Sequence, residues 1–331
     1  MSMGNRLRMA ALGVVAALLL TGCGASGDGG ARVDGPSRTV VDAEGTEVVV
    51  PDHPDRVVAL SEPTMDGALA LGVTPIGVVT GRGQQTVPNY LADLASELPI
   101  LGGIAQPNFE AIGAAKPDLI LVDGTSVNNN PPVLAALRKI APVVYTGYAG
   151  GDWRANFRLV AEALNLVEEG ERVISDYDAK VEQAKPLLAD YAGKTFSIVR
   201  WQGSGAALIL KELLPGRALS DLGLRRPAGQ DREGRGHSDP VSLENLQSID
   251  ADYMFFGTLG GSSISNPNAG GSTDVEGGKR ALAEAETVPG FTELNAYRSG
   301  NIIIVDGSAW TSTGGPLLMN RLIDDVLGAL A

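Results

Sequence analysis

Apolar positions along this chain fall into two alternating periods. Short β-branched runs bounded by Gly, Pro and Asp predict strands at residues 56–60, 75–79, 118–122 and 142–145. After a long interval they return at 195–201, 253–256 and 301–305. Between them lie helically spaced stretches. The first runs over 65–71 and closes at Gly72; the next, 108–115, is stopped by Lys116-Pro117. Others cover 132–140, 213–222 (closed by Gly223), 242–248, 278–286 and 316–330. Ahead of them, residues 39–42 and 47–50 flank Ala43-Glu44-Gly45-Thr46 and predict a hairpin. Strands separated by helices of this length predict βαβ units and a largely parallel sheet.

The interval itself is helical in period. From Trp153 to about Leu188 the only glycine is Gly170, and Phe157, Val160, Ala161, Leu164, Val173, Ile174, Tyr177 and Val181 recur on one face. Mostly helical, such a stretch spans roughly 45–50 Å at about 1.5 Å per residue. Gly170 and Pro186 weaken it as a single unbroken rod. The pattern predicts an α/β protein: two α/β lobes, 39–151 and 193–331, joined by one long backbone helix within 152–192.

The amino-terminal segment reads differently. Arg6 and Arg8 precede an apolar stretch from Ala10 to Leu20, followed by Thr21-Gly22-Cys23. Basic, apolar and small-residue segments in that order make a secretory signal over 1–22. The apolar stretch is shorter than the roughly 20 residues a membrane-spanning helix needs. Leu20-Thr21-Gly22-Cys23 resembles the lipobox of bacterial lipoproteins, in which the signal is cut before a cysteine that is then acylated. The resemblance implies lipidation at Cys23 and an extracytoplasmic protein, lipid-anchored to the cell membrane. Residues 23–38, rich in Gly, Ala, Ser and Asp, predict a lipidated flexible tether.

Cys23 is the only cysteine, so no disulfide forms within the mature chain. The whole chain carries a formal charge of −13; without residues 1–22 it holds 24 Lys and Arg against 39 Asp and Glu, a charge of −15. An acidic body argues against nucleic acid as a partner.

Several phrases in the body share one resemblance. They are Pro54-Asp55-Arg56-Val57-Val58-Ala59-Leu60, Leu98-Pro99-Ile100-Leu101-Gly102, Pro107-Asn108-Phe109-Glu110-Ala111-Ile112 and Lys116-Pro117-Asp118-Leu119-Ile120-Leu121. Ile140-Ala141-Pro142-Val143-Val144 follows, then Leu222-Gly223-Leu224 with Arg226-Pro227, and Val241-Ser242-Leu243-Glu244-Asn245-Leu246. Ile249-Asp250-Ala251-Asp252-Tyr253 and Trp310 with Gly314-Gly315-Pro316 complete the series. Their order resembles the helical-backbone solute-binding proteins that serve ABC importers of ferric siderophores, haem and cobalamin. The resemblance spans about 39–330. It implies the class III periplasmic-binding-protein fold, a stiff clamp whose ligand lies between the lobes, with a ferric siderophore as ligand and no cofactor. Cobalamin or haem is the alternative ligand; a cell-envelope scaffold lipoprotein without transport is the alternative function.

In this class one glutamate on each lobe docks onto arginine pockets of the ABC importer permease. The matching positions are Glu110 and Glu244, both near predicted helix starts, where an acid also serves simply to offset the helix dipole. A siderophore is oxygen-rich and often aromatic, so guanidinium forks and flat aromatic walls are the expected ligand contacts. At strand ends, where open α/β sheets bind ligands, the candidates are Arg200 and Trp201, Arg82 in Gly81-Arg82-Gly83, Trp310, Tyr148, Trp153, Ser61 and Glu62. Arg225, Arg226, Arg232 and Arg235 make a basic patch whose plain reading is a solvated loop.

Bare-metal capture lacks support, since His53 and His237 are the only histidines. An enzyme lacks it too: Gly-x-Ser-x-Gly, P-loop and His-Glu-x-x-His motifs are absent, and in the body Gly81-Arg82-Gly83-Gln84-Gln85-Thr86 fails Gly-x-Gly-x-x-Gly at its last place.

Overall fold

Strand β1 (Ser37–Val41) pairs antiparallel with β2 (Glu47–Pro51), setting Val40 opposite Val48. The two-residue period buries Val40, Val48 and Val50 and leaves Val41 and Val49 in solvent. The structure is a computed structural model that describes residues 33–127, 130–203, 205–234, 238–261 and 271–331. Cys23, most of the tether, Arg235 and His237 lie outside the described residues.

The first lobe follows. Strand β3 (Val57–Ala59) leads to α1 (Glu62–Ala70). Residues 75–79, expected as a strand, pair only through single parallel bridges, Val58 to Gly77 and Val78 to Ile100. Short α2 (Ala92–Ala95) comes next, then a small antiparallel pair, β4 (Gly102–Gly103) and β5 (Gln106–Pro107). Helix α3 (Phe109–Ala115), β6 (Leu119–Val122), α4 (Gly124–Val127), α5 (Pro131–Leu137) and β7 (Val143–Tyr145) complete the lobe. The parallel sheet runs in the order β3-β6-β7, and every residue of those strands is buried. Covered on both faces, such strands are continuous apolar runs.

The helical interval folds back on itself. Helix α6 (Trp153–Ala163) ends at a turn in which Asn165 adopts φ +60°, and α7 (Val167–Ala184) returns alongside it. Arg158 pairs with Glu171 at 2.6 Å and Arg154 with Asp178 at 2.5 Å, which fixes the antiparallel register. So the backbone helix is α7 alone, about 27 Å long, and the break falls at Asn165. Gly170 lies inside α7 because α6 is too close for a side chain: a Cβ there would stand 2.7 Å from Ala161 Cβ. Pro186 opens a 3₁₀ segment, Lys185–Tyr191, that finishes the hairpin.

The second lobe carries five strands in the order β10-β9-β8-β11-β12. They are β8 (Phe196–Gln202), β9 (Gly205–Leu208), β10 (Asp239–Val241), β11 (Tyr253–Gly257) and β12 (Ile302–Ile304). Strands β8, β11 and β12 are parallel; β9 and β10 add an antiparallel edge. The helices are α8 (Leu214–Asp221), α9 (Val275–Ala285), α10 (Asn295–Arg298), α11 (Gly307–Trp310) and α12 (Pro316–Leu330). Leu243–Ile249, expected as a helix, is a 3₁₀ segment kinked at Asn245.

One apolar core passes through both lobes. It joins Val57, Leu119 and Val144 of the first sheet, Phe157 and Tyr177 of the hairpin, and Phe196, Phe255 and Leu322 of the second lobe. Among the described residues no helix is long and apolar enough to cross a membrane.

Candidate functional site

Beyond β3 the chain turns into α1 through a reciprocal cap. The Thr64 N–H donates to Ser61 Oγ at 3.3 Å, and the Ser61 N–H donates to Thr64 Oγ1 at 3.1 Å. Ser61 is therefore spent on the helix and buried, not presented to a ligand. The cap fixes Glu62 in the first turn, also buried. Its carboxylate accepts the Arg82 N–H at 2.8 Å and the Ser312 hydroxyl at 3.0 Å. Ser312 belongs to the second lobe, between α11 and α12, so Glu62 bridges the lobes. Burial raises its pKa, and the Arg82 charge and these hydrogen bonds partly offset that.

On the other side, β8 ends with Arg200. Its Nη1 donates to the Thr311 carbonyl at 3.3 Å, and its Nη2 donates to Ser238 Oγ. Desolvation, followed by the charge of Arg82, pushes Arg200 down to about 10. Arg82 belongs to the first lobe and Arg200 to the second. The Arg82 main-chain N–H, Glu62, Ser312, Thr311 and Arg200 thus form one connected series from lobe to lobe. A desolvated guanidinium such as that of Arg200 favours an anion with oxygens able to take forked hydrogen bonds.

A pocket of about 180 Å³ opens between the lobes, lined by Gln84, Thr86 and Asn89 on one side and Ser272, Thr273 and Asp274 on the other. Asn89 Nδ2 reaches across it to Thr273 Oγ1 at 3.2 Å and to Asp306 Oδ2 at 3.1 Å. A larger pocket, about 400 Å³, lies at Pro36, His53, Asp118 and Pro142. Those residues precede the strands of the first sheet, so it sits at the amino-terminal edge, away from the cleft.

The structure separates the aromatic candidates. Tyr148, beyond β7, is 62% exposed and packs beside Gly124. The three tryptophans do not line the cleft. Trp201 is fully buried against Phe256 and Phe291. Trp310 stacks on Phe255 at 4.1 Å, with its indole N–H donating to Asp325. Trp153 packs edge-on against Tyr177. Along β8, side chains alternate faces: Phe196 and Ile198 join the through-going core, Val199 and Trp201 the outer one. Arg200 and Trp201 therefore cannot share a wall.

The arginine loop is not a uniformly solvated patch. Arg226 is buried, its Nη2 donating to the Ile209 carbonyl at 2.7 Å, whereas Arg225 is exposed and exposed Arg232 pairs with Asp239. Sequence reasoning missed Ser238, Asn89, Thr311 and Ser312. The run Ser308 to Thr313, four hydroxyl residues in six after β12, was the available signal.

Glu110 and Glu244 lie apart from this site. Each is exposed in the first turn of its element, α3 with its Asn108 cap and the 3₁₀ segment with its Ser242 cap. No group of three or more His, Cys, Asp or Glu able to hold a metal ion occurs among the described residues.

Known proteins share this architecture. The chain is 32% identical over 295 residues to the probable siderophore-binding lipoprotein YfiY of Bacillus subtilis, covering 88% of this chain and 86% of that one. It is 24% identical over 319 residues to the Fe(3+)-citrate-binding protein YfmC of the same organism, covering 95% and 93%. The solved structure of Staphylococcus aureus SirA complexed with staphyloferrin B superposes with a TM-score of 0.72 at 25% identity, over 88% of this chain and 98% of that one. The model of the family described as periplasmic binding protein matches residues 57–309, most of both lobes and everything between them, and the chain belongs to that family.

Proposed function

We propose that this protein captures a ferric siderophore in the cleft between its lobes and delivers it to the permease of an ABC importer, acting as a binding protein and not an enzyme. The observation that carries this reading is the hydrogen-bonded bridge between lobes at Glu62, with the desolvated Arg200 held at Thr311 beside Ser312. Siderophore and ferric-citrate binding by the relatives supports it. Capture works by ion pairing and forked hydrogen bonds to ligand oxygens, with Tyr148 as a movable wall. Closure is small, because the core is continuous from lobe to lobe. Glu110 and Glu244 then engage basic pockets on the permease, setting register through charge. Lipid on Cys23 keeps the protein at the membrane, so capture and delivery occur within tether reach.

The test is uptake of ferric chelate labelled with radioactive iron. Glu110→Ala with Glu244→Ala should abolish uptake while the purified protein folds and binds as before, since exposed acids contribute little to stability. Normal uptake would leave both as ordinary helix-start acids; lost solution affinity would move them into the binding site. Separately, Cys23→Ser should shift the protein from the membrane fraction to the soluble one with its melting temperature unchanged. Retention at the membrane would refute lipid anchoring through this residue.

A further inference from the structure

Resting on the reading of Glu110 and Glu244 as docking acids, we infer that each acts together with the exposed apolar side chain just before it, Phe109 on the first lobe and Leu243 on the second. The permease surface that fits them is a basic group beside an apolar hollow, offered once to each lobe. Both lobes carry the same short pattern. A capping residue, Asn108 or Ser242, is followed by an apolar residue and then the acid; two residues later comes a buried apolar residue, Ile112 or Leu246. The buried residue supplies the core contact of each turn. The apolar residue ahead of the acid is left 39% exposed at Phe109 and 40% at Leu243. The other five of the six phenylalanines are buried, so Phe109 departs from the treatment of its own residue type. On the first lobe the patch is wider. The β4–β5 register, continued by the Asn108 N–H donating to the Leu101 carbonyl at 2.9 Å, sets exposed Ile100 beside Phe109.

The two sites also occupy matching places. Ile100 pairs in parallel with Val78, and Gly77 with Val58, which puts the segment leading to α3 at the outer edge of the first sheet. Strand β10 is the outer edge of the second sheet and, two antiparallel steps from β8, runs parallel to it. Each acid with its apolar neighbour lies at the carboxyl end of its edge segment, the end that also carries Glu62 after β3 and Arg200 in β8. That end is the cleft-side rim, with one site on each lobe. An exposed ion pair alone is weak, because water screens both charges. An apolar side chain seated against the partner excludes that water, and a central contact ringed by others that exclude water is how interface hot spots are built. Arg232 and Asp239 of β10 pair with each other and bring no net charge beside Leu243. A lipid surface does not fit, since anionic headgroups would repel both carboxylates.

The test is co-sedimentation of the purified chain carrying Cys23→Ser with right-side-out membrane vesicles from iron-starved cells deleted for this protein. Without lipid, the chain is held at the vesicle by docking alone. Its binding should be saturable and should weaken as salt rises. Phe109→Gln with Leu243→Gln should weaken binding at least about tenfold, keep the salt dependence and leave the melting temperature unchanged. Phe109→Leu with Leu243→Met should bind as the parent does. Glu110→Ala with Glu244→Ala should weaken binding and flatten the salt dependence. Full binding by the glutamine pair, with the alanine pair weakened, would overturn the apolar partnership and leave the docking acids in place. A lowered melting temperature in the glutamine pair would do the same, assigning both side chains to the fold of their lobes. No saturable binding of the parent, or full binding by the alanine pair, would overturn docking through these acids and the inference with it.

Discussion

Asp66→Ala should lower the unfolding free energy of the ligand-free protein by about 3–5 kcal/mol, as buried acceptors shared by several donors do. Asp66 lies in α1 and is fully buried. Its carboxylate accepts the Leu317 N–H and the Leu318 N–H at 2.9 Å each, and the Tyr90 hydroxyl at 3.0 Å. The first two donors belong to the opening turn of α12, 251 and 252 residues along the chain. An anion held at the positive end of a 15-residue helix thereby joins the two lobes. Alanine would strand all three donors and leave a cavity. Chemical denaturation measures the loss; a change below about 1 kcal/mol would mean that water replaces the carboxylate.

The same residue gives a pH signature. Burial, only partly offset by the backbone donors and Tyr90, raises Asp66 to about 6. An ordinary aspartate titrates near 4, so between about pH 4 and pH 6 the folded state binds more protons than the unfolded chain. Stability from this group is therefore highest in acid and falls as pH rises through 6. The difference in stability between wild type and the non-titrating Asp66→Asn isolates the effect. It should shrink by about 1–3 kcal/mol from pH 4 to pH 7. A difference that stays flat or grows would show that the donors outweigh burial.

Arg200→Met should weaken ferric-chelate binding by about 1–3 kcal/mol, roughly 5- to 150-fold, the usual scale for charge-assisted hydrogen bonds lost in a desolvated site. Stability should move the other way or not at all. The charged form of Arg200 is disfavoured in the fold by burial and by Arg82, so an apolar chain of similar length removes an unfavourable term. Function and folding are opposed at this position, as they commonly are at binding sites. Calorimetric affinity and melting temperature on one preparation separate the outcomes. Intact affinity with a lower melting temperature would assign Arg200 to the scaffold.

Legibility in the sequence followed burial. Strands β3, β6 and β7 were plain because both faces are covered and every residue is apolar or small. Strands β9 and β10 were not: Gly-Ala-Ala-Leu and Asp-Pro-Val lack length and alternation, and pairing with β8 makes them strands. The hairpin between α6 and α7 was hidden because Asn165 supplies the left-handed turn without a Gly or Pro. Gly170 misled in the opposite direction, its small size serving helix contact. At the site, Arg200 was picked out by strand-end position, which is a property of topology. The tryptophans failed the same test because position along a strand does not say which face a side chain takes. Asp66 gave no local signal, since its partners are distant in sequence. Only Gly314-Gly315-Pro316 hinted at it: a Cβ on Gly315 would stand 2.7 Å from Asp66 Oδ1, and one on Gly314 would stand 2.4 Å from the Tyr90 hydroxyl.

The shared core has a thermodynamic consequence. Leu119, Tyr177, Phe255 and Leu322 belong to one packed cluster, so neither lobe can melt without exposing surface that the other covers. The protein should behave as one cooperative folding unit, with a single calorimetric transition whose van't Hoff and calorimetric enthalpies agree. Occupancy of the cleft then raises the midpoint of the entire molecule. Cutting the chain between α6 and β8 would yield two fragments that each expose apolar surface the other covered, so the halves of this clamp are not separable domains.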